Sequence, residues 1–598
     1  MLTEARTPIQ PTRAGRLYSF GTALTANISI ATWYSSTHIQ IDRLDSSIQV
    51  LTSLSMLQSL LEDNLGRYAP VVPGLIAAAV AIALYCSTGT TEQPATKEEK
   101  DGKPTVKRVR YLPSKVPYLG NALELLSNSE RMHDWIADHI VPFDGEPFML
   151  SLPGKDDMMF IAKPEHIEQV LKTQFENFPK SQHIHDVFFD LLGDGIVITN
   201  GEVWKRQRRV LVNLFSARAL RENMTPISQK YVVQLRKIFE DAVASKEPID
   251  AFGLMHRYTL DVFAEIGFGT EMKLLEGRYQ PFAEAIEESQ YIVSARFKQP
   301  DPLWKIKRWL NVGSERRLRE AVDVIDEHVM GIISAAIERR RLRNEEIKSG
   351  ESTRPADKDI VSIILDSMET NNQVVDPVEV RNIATAALIA GRDTTADALG
   401  WLFHVLSENP SVEEKLRSEL LTHIPNLTTD KEYVPTVEEF NEVPYLEATI
   451  RELLRILPAG PAIATYCARD TVFPDGTFVP KGTDIGLAFY TTGRLPSVWG
   501  EDVAAFKPER FLDPETGKAI QVSSSKFCAF SAGPRICVGR NLAFLEMKIV
   551  IANILSRFHL VPEPNQDVTY TQGITLGMKN PLMMRVEAIN SQSANTEL

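Results

Sequence analysis

The pattern of apolar and polar residues divides the chain into three regions. Residues 69–86 form an uninterrupted run without a charged side chain, which is about the shortest length that lets a helix cross a bilayer. Helical periodicity dominates from Asn121 to Leu457, and Ser314–Arg343 is a long example. Strand-like sequence follows, with a turn signal, Phe-Pro-Asp-Gly-Thr, at 473–477. We therefore predict a mainly α domain with a smaller β-rich region, preceded by a membrane anchor.

The segments around this domain are assigned from their composition. Residues 1–68 form an N-terminal extension that fits a targeting segment, a non-structural extension or a misassigned start equally well. A buried core helix is the alternative for 69–86, but such a helix should have a polar face and this segment has none. Residues 87–117 form a basic, proline-containing linker, and the basic excess after the anchor predicts that the domain faces the cytosol. The domain itself spans 118–588, and 589–598 form a tail.

Charge and cysteine content narrow the function classes. The chain has 65 basic and 78 acidic side chains and a net charge of −13, so it lacks the basic footprint of a general nucleic-acid-binding protein. Four cysteines, Cys86, Cys467, Cys528 and Cys537, are too few for a disulfide framework and form no C-x-x-C metal site.

One of these cysteines, Cys537, lies between a glycine-containing loop and an apolar helical pattern, in the sequence FSAGPRICVGR at 530–540. Loop glycines let a flat ligand approach the backbone closely, and the N-terminus of the following helix would stabilise a thiolate. Arg535 can pair with an anionic group at the edge of such a ligand. The alternative is a small buried cysteine in a tight turn.

A helix of roughly thirty residues is predicted from Asp376–Pro377 to Asn409–Pro410, with an aspartate N-cap followed by proline. In its middle, AGRDTT at 390–395 contains a glycine and a β-branched threonine, both unfavourable in a helix interior. The Thr394 hydroxyl can donate to the carbonyl of Ala390 and loosen the helix there. A tolerated irregularity in a core helix is the alternative.

Two further patterns are weak signals by themselves. Glu452 and Arg455 share a helix face, and a PERF sequence at 508–511 follows them. Trp204 and Arg208 also share a helix face, and neighbouring basic residues extend that surface, which could equally be an ordinary solvated face.

Taken together, these segments resemble the cytochrome P-450 superfamily of heme-thiolate monooxygenases. The sequence at 530–539 fits F-x-x-G-x-R-x-C-x-G at every fixed position, and 390–395 fits the oxygen-groove motif [AG]-G-x-[DE]-T-[TS]. E-x-x-R, P-E-R-F and W-x-x-x-R motifs are also present. The resemblance implies the P-450 fold, in which heme lies between a long distal helix and a proximal cysteine loop and helix.

The resemblance also implies residue roles. Cys537 is the expected axial iron ligand, and Asp393 with Thr394 is the expected acid–alcohol pair that relays protons to dioxygen. The expected contacts of the cofactor, heme b (iron protoporphyrin IX), are Trp204, Arg208, Gly391, Phe530, Gly533, Arg535 and Gly539. The Glu452–Arg455–Arg510 cluster is expected to be structural, and Cys467 and Cys528 to be packing residues. Many relatives have a basic residue where this chain has Thr465, so one propionate partner is missing or lies elsewhere.

Finer features are similar to the fatty-acid ω-hydroxylases of plants and fungi, namely Phe178–Lys180, Leu191–Ile196, Phe473–Pro480, Gly493–Arg494, Trp499–Asp502 and Leu576–Asn580. They imply hydroxylation of a fatty acid at or near its ω end, with O2 and electrons from NADPH. The same chemistry on a sterol, terpenoid or xenobiotic is the first alternative. A heme-thiolate isomerase or a heme-binding protein without turnover is the second, and the Asp393–Thr394 pair argues against it.

The expected surroundings follow from the same resemblance. Electrons are expected from a separate NADPH–cytochrome reductase that carries FAD and FMN, with cytochrome b5 as a second donor. The expected location is the endoplasmic reticulum membrane, with a single span and the catalytic domain in the cytosol. Candidate segments for an apolar substrate pocket are 196–198, 386–387, 461–463 and 574–576.

Overall fold

The computed structural model describes residues 106–113, 119–152, 155–349, 359–370 and 375–589. The predicted extension and the predicted anchor, residues 1–68 and 69–86, lie outside the described residues, as do most of the linker and all of the tail except Ile589. Within the described part of the chain, no helix combines the length and the hydrophobicity that a membrane span requires.

Helices make up most of the described chain. Those before the predicted long helix are α1 Ala122–Ser127, α2 Met132–Ile140, α3 Pro164–Glu168, α4 Gln182–Leu192, α5 Gly201–Leu214, α6 Ala217–Ala219, α7 Thr225–Ser245, α8 Ala251–Phe268, α9 Pro281–Phe297, α10 Asp301–Leu310, α11 Ser314–Ser349 and α12 Ile360–Thr370. The remaining helices are α13 Pro377–Ser407, α14 Pro410–His423, α15 Asn426–Thr429, α16 Pro444–Ile456, α17 Phe489–Thr492, α18 Pro496–Trp499 and α19 Arg540–Leu555.

The strands are shorter and form three sheets. They are β1 Arg110–Tyr111, β2 Phe148–Leu150, β3 Met158–Ile161, β4 Ile249–Asp250, β5 Ile463–Tyr466, β6 Thr471–Val472, β7 Phe478–Val479, β8 Asp484–Leu487, β9 Phe558–Pro562 and β10 Met583–Ala588. The largest sheet has the order β1-β2-β3-β8-β5, so strands near the start of the domain pair with strands that follow α16. The strands β4, β10 and β9 form a second sheet, and β6 with β7 forms a hairpin around the predicted turn at 473–477. The predicted mainly α architecture with a smaller β-rich region is confirmed.

The helix α13 is the predicted long helix, and local sequence sets its ends. Its 31 residues begin at Pro377, and the Asp376 side chain accepts a hydrogen bond of 2.9 Å from the N–H of Val378. After Ser407, the next helix begins at Pro410, whose ring disfavours a helical conformation of the residue before it. Most side chains of α13 are buried among α8, α11, α12, α14, α16 and α19.

Two glycines let α13 pack closely against α8. A Cβ atom added at Gly391 would lie 2.0 Å from a ring carbon of Phe263, and one added at Gly400 would lie 2.6 Å from a ring carbon of Phe252. Glycine in a helix interior costs about 0.5–1 kcal/mol relative to alanine. Here that cost is offset because each aromatic ring of α8 occupies the space that a side chain of α13 would need.

The predicted cluster of Glu452, Arg455 and Arg510 is confirmed. Glu452 accepts hydrogen bonds from the Nε atoms of Arg455 at 2.7 Å and Arg510 at 3.2 Å, and both Glu452 and Arg455 are fully buried. Arg455 also donates to the carbonyl of Gly493. The cluster therefore ties α16 to the segment that leads to the cysteine loop, and loss of one partner would leave a buried charge uncompensated.

Alanine at Gly391 tests the close approach of α8 and α13. We expect Gly391→Ala to lower the free energy of unfolding by about 1–3 kcal/mol, because the methyl group would overlap the buried ring of Phe263. Gly331, in the middle of α11, is the matched control, since a Cβ atom there would meet nothing within 4 Å. Gly331→Ala should raise stability by about 0.5–1 kcal/mol. Urea unfolding followed by circular dichroism measures both, and equal shifts in the same direction would contradict the packing argument.

Candidate active site

A stripe of small residues is the accessible part of the otherwise buried middle of α13. Ala387, Ala390, Gly391 and Thr394 are accessible or half-buried, whereas the residues between them are buried. Their spacing of three and four residues places them on one helix face. Thr394 lies at one end of the stripe, and its hydroxyl donates to the carbonyl of Ala390 at 2.8 Å, as predicted. The backbone of Gly391 is on this face, but its Cβ direction points to Phe263.

Asp393 lies on a different side of the helix from Thr394. Its Oδ2 accepts a hydrogen bond of 2.7 Å from Gln290 on α9, and its Oδ1 lies 3.1 Å from Arg392 and 3.6 Å from Nδ1 of His256. Burial alone would raise the pKa of Asp393, but Arg392, His256 and Gln290 outweigh burial and hold the pKa below its ordinary value. Among the described hydrogen bonds, none joins Asp393 to Thr394.

The loop before α19 holds Cys537 in a fixed position. The N–H of Cys537 donates to the carbonyl of Phe530 at 2.9 Å. Gly533 has a φ of +65°, and a Cβ atom there would lie 1.9 Å from the carbonyl oxygen of Leu171, so a side chain has no room at this turn. The ring of Phe530 lies 5.2 Å from that of Phe544 on α19, which joins the loop to the helix.

The thiol of Cys537 is accessible and points to the side of the loop near the N-terminus of α19. The protein that surrounds it raises the pKa of the thiol by desolvation, whereas the N–H groups of Gly539 and Arg540 and the cation of Arg208 act in the opposite direction. Gly539 is the N-cap of α19, and a Cβ atom there would lie 3.9 Å from the sulfur. Desolvation outweighs these groups and keeps the pKa of the thiol above its ordinary value, but the N–H donors and the cation are directed at the sulfur, where they would stabilise a thiolate bound to a metal.

Arg535, Trp204 and Arg208 are brought together beside this loop. The guanidinium of Arg535 lies 4.6 Å from the ring centroid of Trp204 and donates to the carbonyl of Thr199 at 2.7 Å. Arg208, one turn along α5, lies 5.9 Å from the same centroid. Burial, followed by repulsion from Arg208, lowers the pKa of Arg535 to about 10. The two cations therefore lie close to the same aromatic ring.

Lys180 is a third cation of this group, and it was not among the heme contacts expected from the sequence motifs. Its Nζ donates to the carbonyl of Ala464 at 3.2 Å, next to Thr465, the position at which many relatives have a basic residue. Burial, followed by repulsion from Arg535, lowers the pKa of Lys180 to about 8. Among the described residues, Lys180, Arg208 and Arg535 have no carboxylate at ion-pair distance. Burial of like charges without compensation is unfavourable, so the group is suited to an anionic ligand.

The other cysteines and the basic surface have ordinary surroundings. Cys467 and Cys528 are buried and donate to the carbonyls of Arg469 and Ser525, and burial raises the pKa of both thiols. Cys86 lies outside the described residues. Of the basic residues beside Trp204, Lys205 pairs with Glu202 at 2.9 Å and Arg206 pairs with Glu379 at 2.7 Å, whereas Arg209 is exposed.

Three of the four segments predicted to line a substrate pocket, 196–198, 386–387 and 574–576, lie on or beside α13, whereas Ile463 packs against the core of the largest sheet. A Cβ atom at Gly195 would lie 3.2 Å from that of Ala386, which places the loop before α5 against the helix. The indole of Trp401 donates to the carbonyl of Leu576 at 2.6 Å, and the N–H of Leu576 donates to the carbonyl of Ala459. Ile196, Ala387 and Ile574 are partly buried side chains on the same core. The side chains are small or apolar, as a lipophilic ligand requires.

Heme fits this set of groups. A thiol at a helix N-terminus is a suitable iron donor, a helix face of small residues accommodates a flat ring, and uncompensated cations suit two propionates. Glycine at 539 leaves the sulfur without a side chain beside it on that side, and glycine at 533 lets the loop turn against the carbonyl of Leu171.

Comparison with known proteins identifies the family. The Cytochrome P450 family model matches residues 111–584. Cytochrome P450 704B1 of Arabidopsis thaliana is 34% identical over 509 residues, which cover 79% of this chain and 94% of that protein. Cytochrome P450 94A1 of Vicia sativa is 32% identical over 460 residues, covering 76% and 85%, and Cytochrome P450 86B1 of Arabidopsis thaliana is 31% identical over 487 residues, covering 79% and 84%.

Members of the family use heme-thiolate iron, O2 and electrons from NADPH that a reductase supplies, and they act on lipophilic substrates. The family prediction and the mainly helical fold that it implied are confirmed. Because the match extends over nearly the whole described chain, this protein belongs to the cytochrome P450 family and is a monooxygenase.

Proposed function

We propose that this P450 hydroxylates a fatty acid at or near its ω end, with the Cys537 thiolate as the axial ligand of the heme iron. The observation that carries the proposal is the accessible stripe of α13, Ala387 to Thr394, in a chain whose cysteine loop presents an accessible thiol at the N-terminus of α19. When bound, the heme-thiolate iron supplies activation of dioxygen and insertion of one oxygen atom into a C–H bond.

The cations beside the cysteine loop orient the heme. Arg535 and Arg208, which both lie close to the ring of Trp204, would hold a propionate. Many relatives have a basic residue at the position of Thr465, and Lys180 would replace it here, because the Nζ atom of Lys180 donates to the carbonyl of Ala464 next to Thr465. An anion here relieves the repulsion among these cations, so heme binding also stabilises the local fold.

Thr394 and Asp393 divide the handling of protons. The Thr394 hydroxyl lies on the accessible face of α13, where it can hold and orient an oxygen ligand and pass its proton on. Asp393 lies behind it and resupplies protons, through water or a change of side-chain rotamer, since its carboxylate has other partners in the resting arrangement. The close packing of Gly391 on Phe263 keeps this segment of the helix in place.

A fatty acid is the substrate class that two observations support. The segments near α13 carry small or apolar side chains, among them Ile196, Ala387 and Ile574. Several separate stretches of sequence are similar to fatty-acid ω-hydroxylases of plants and fungi, and they include Leu191–Ile196 and Leu576–Asn580, both of which contact α13. A narrow apolar channel would select a chain by its length and bring its terminal carbon towards the heme.

The proposed electron donors are an NADPH–cytochrome reductase with FAD and FMN, and cytochrome b5. Arg209 and Lys205 are exposed on α5, close to the edge of the site, and can attract an acidic protein surface. The pairing of Arg206 with Glu379 directs that side chain to α13 instead.

We place the protein at the endoplasmic reticulum membrane, with a single span and the catalytic domain in the cytosol. Beyond the apolar run at 69–86, the helix α10 supports membrane contact. Trp304 fixes the helix by its buried indole, whereas Trp309 is 82% exposed and Ile306 is 54% exposed. Lys307 lies between these two exposed residues, so the helix presents apolar side chains with basic neighbours, as interfacial helices do.

The axial-ligand proposal predicts the spectrum of a cysteine variant. Cys537→Ala should abolish the thiolate-type Soret band of the reduced carbon-monoxide complex, because the iron loses its sulfur donor. Cys467→Ala and Cys528→Ala, which remove buried thiols that donate to the carbonyls of Arg469 and Ser525, should retain the band. A normal band in Cys537→Ala would refute the heme assignment.

The substrate proposal predicts selective binding and a defined product. Laurate or oleate should give a saturable shift of the heme Soret band with a Kd at least about tenfold below that of a sterol, a difference of about 1.4 kcal/mol. Turnover with NADPH and reductase should hydroxylate the fatty acid at or next to its terminal carbon. Binding and turnover of the sterol alone would exclude the fatty-acid proposal and leave the monooxygenase assignment intact.

The membrane proposal predicts that Trp309 contacts lipid. With the full chain in bilayers whose acyl chains carry bromine, tryptophan fluorescence should be quenched, and Trp309→Phe should remove most of the quenched fraction because this indole is the exposed one on α10. Trp499→Phe is the control, since that side chain is buried. Equal quenching in the wild type and in Trp309→Phe would show that α10 does not lie on the membrane.

A further inference from the structure

A histidine on α8 lies between two carboxylates of α13. The Nε2 atom of His256 is 3.1 Å from Oδ1 of Asp397, and its Nδ1 atom is 3.6 Å from Oδ1 of Asp393. The side chains of Asp397 and Asp393 are 1% and 6% exposed, whereas that of His256 is 19% exposed. His256 is therefore the member of this group that water can reach.

The remaining contacts complete the surroundings of the cluster. Asp393 also binds Gln290 of α9 and Arg392, and Arg392 in turn lies 2.5 Å from Glu287 on the same helix as Gln290. The ring of Phe252 packs edge-on against that of His256 at 4.7 Å. Oδ2 of Asp397 is buried and has no hydrogen-bond partner among the described residues, so this carboxylate depends on His256 for compensation.

The electrostatics of the cluster favour a charged imidazole. Burial alone would lower the pKa of His256, and Arg392 acts in the same direction, but hydrogen bonds to Asp393 and Asp397 outweigh both and raise the pKa to about 9. At neutral pH both ring nitrogens therefore carry protons. The Nε2–H group is directed to Asp397, and the Nδ1–H group faces Asp393.

We propose that His256, oriented by Asp397, is the positioning residue that loads protons onto Asp393. The proposal rests on the relay role that Asp393 and Thr394 have in the proposed function. First the Nδ1–H bond of His256 breaks and an O–H bond forms at Oδ1 of the charged Asp393; that O–H bond then breaks as the proton passes on towards Thr394, and Asp393 returns to its charged form.

The imidazole then stays attached to Asp397 through Nε2–H and takes a new proton at Nδ1 from water, so protons balance and no electrons move. The 3.6 Å separation has to shorten for the transfer, as catalytic hydrogen bonds commonly do when a site becomes loaded. Asp393 must also release one of its other donors, Gln290 or Arg392, to accept a proton on its carboxylate.

The direction of the pH dependence follows from the cation. Below a pH of about 9 His256 holds a proton that it can transfer, and as the pH rises through that value the proton is lost. Product formed per NADPH should therefore fall on the alkaline side. Asp397→Asn removes a carboxylate that raises the pKa of His256, so the same decline should move to lower pH in that variant.

Three variants test the proposal in the complete enzyme with reductase. His256→Gln keeps a polar side chain but cannot carry a transferable charge, and we expect about a tenfold loss of product per NADPH, with hydrogen peroxide or water formed instead. His256→Lys restores a proton-bearing cation and should recover most of the coupling. His559→Gln is the matched control, because His559 also pairs with a buried carboxylate, Glu413 at 2.9 Å, outside the site. It should leave coupling unchanged.

A second readout does not depend on activity. Imidazole signals in NMR spectra of the heme-loaded full chain give the titration of His256, which is assigned by its disappearance in His256→Gln. It should titrate near pH 9 in the wild type and at clearly lower pH in Asp397→Asn. Titration at an ordinary histidine pKa in both proteins would overturn the proposal.

The variants of the relay separate two kinds of failure. If Thr394→Ala and Asp393→Asn lose coupling while His256→Gln keeps it, the loading role is wrong and the proposed function stands. If Thr394→Ala and Asp393→Asn both keep wild-type coupling, the relay itself is wrong and the role of His256 falls with it. Loss of coupling in His256→Gln without recovery in His256→Lys, and without a shift of the alkaline decline to lower pH in Asp397→Asn, would mean that the residue is only structural.

Discussion

The burial of α13 on every side but one is the constraint on which the site depends. Glycine at 391 and 400 lets the rings of Phe263 and Phe252 press against the helix, so α8 closes one side without a gap. Neighbouring helices cover the rest, and a stripe of small side chains from Ala387 to Thr394 stays accessible. A tightly packed helix interior offers a ligand no other place, because protein cores leave few spaces larger than a water molecule. Packing thus determines where chemistry can occur along the helix.

Charge compensation differs on the two sides of that stripe. Beside the cysteine loop, Arg535, Arg208 and Lys180 lie close together with no described carboxylate partner, which prepares the region for an anionic cofactor. Behind the stripe, the carboxylate of Asp393 is surrounded by donors and stays charged. A cofactor binds strongly where charge is uncompensated, and a proton carrier is suited to a place where neighbouring donors balance its charge and one of them can supply a proton.

Local signals in the sequence predicted the parts of the site that local structure forms. The start of α13 followed from Asp376 and Pro377, and its end followed from Pro410. The hydrogen bond from Thr394 to Ala390 followed from their spacing of four residues. The buried cluster at Glu452 needed the family motif as well, since an E-x-x-R spacing by itself is common on exposed helices.

The parts that sequence analysis missed depend on residues far apart in the chain. Lys180 reaches a carbonyl 284 residues away, and His256 pairs with a carboxylate 141 residues away. Neither contact leaves a recognisable pattern in the sequence, because each forms only when separate elements pack together. The strands β1 to β3 were also missed, because segments this short show little alternation of apolar and polar residues. They are held in the sheet by the pairing of β3 with β8, which is distant in the chain. The direction of the Gly391 Cβ could not be predicted for the same reason.

The placement of Asp393 and Thr394 adds a condition that the motif alone does not contain. Neighbouring residues of an α-helix point about 100° apart, so an acid and an alcohol in sequence cannot share one face. Here the alcohol lies on the accessible stripe and the acid lies among α8 and α9. In the proposed relay, protons would therefore pass around the helix, either through water or by rotation of the acid. Gln290, Arg392 and His256 all contact Asp393, so side chains of α8 and α9 would affect the rate of proton supply as well as the motif residues themselves.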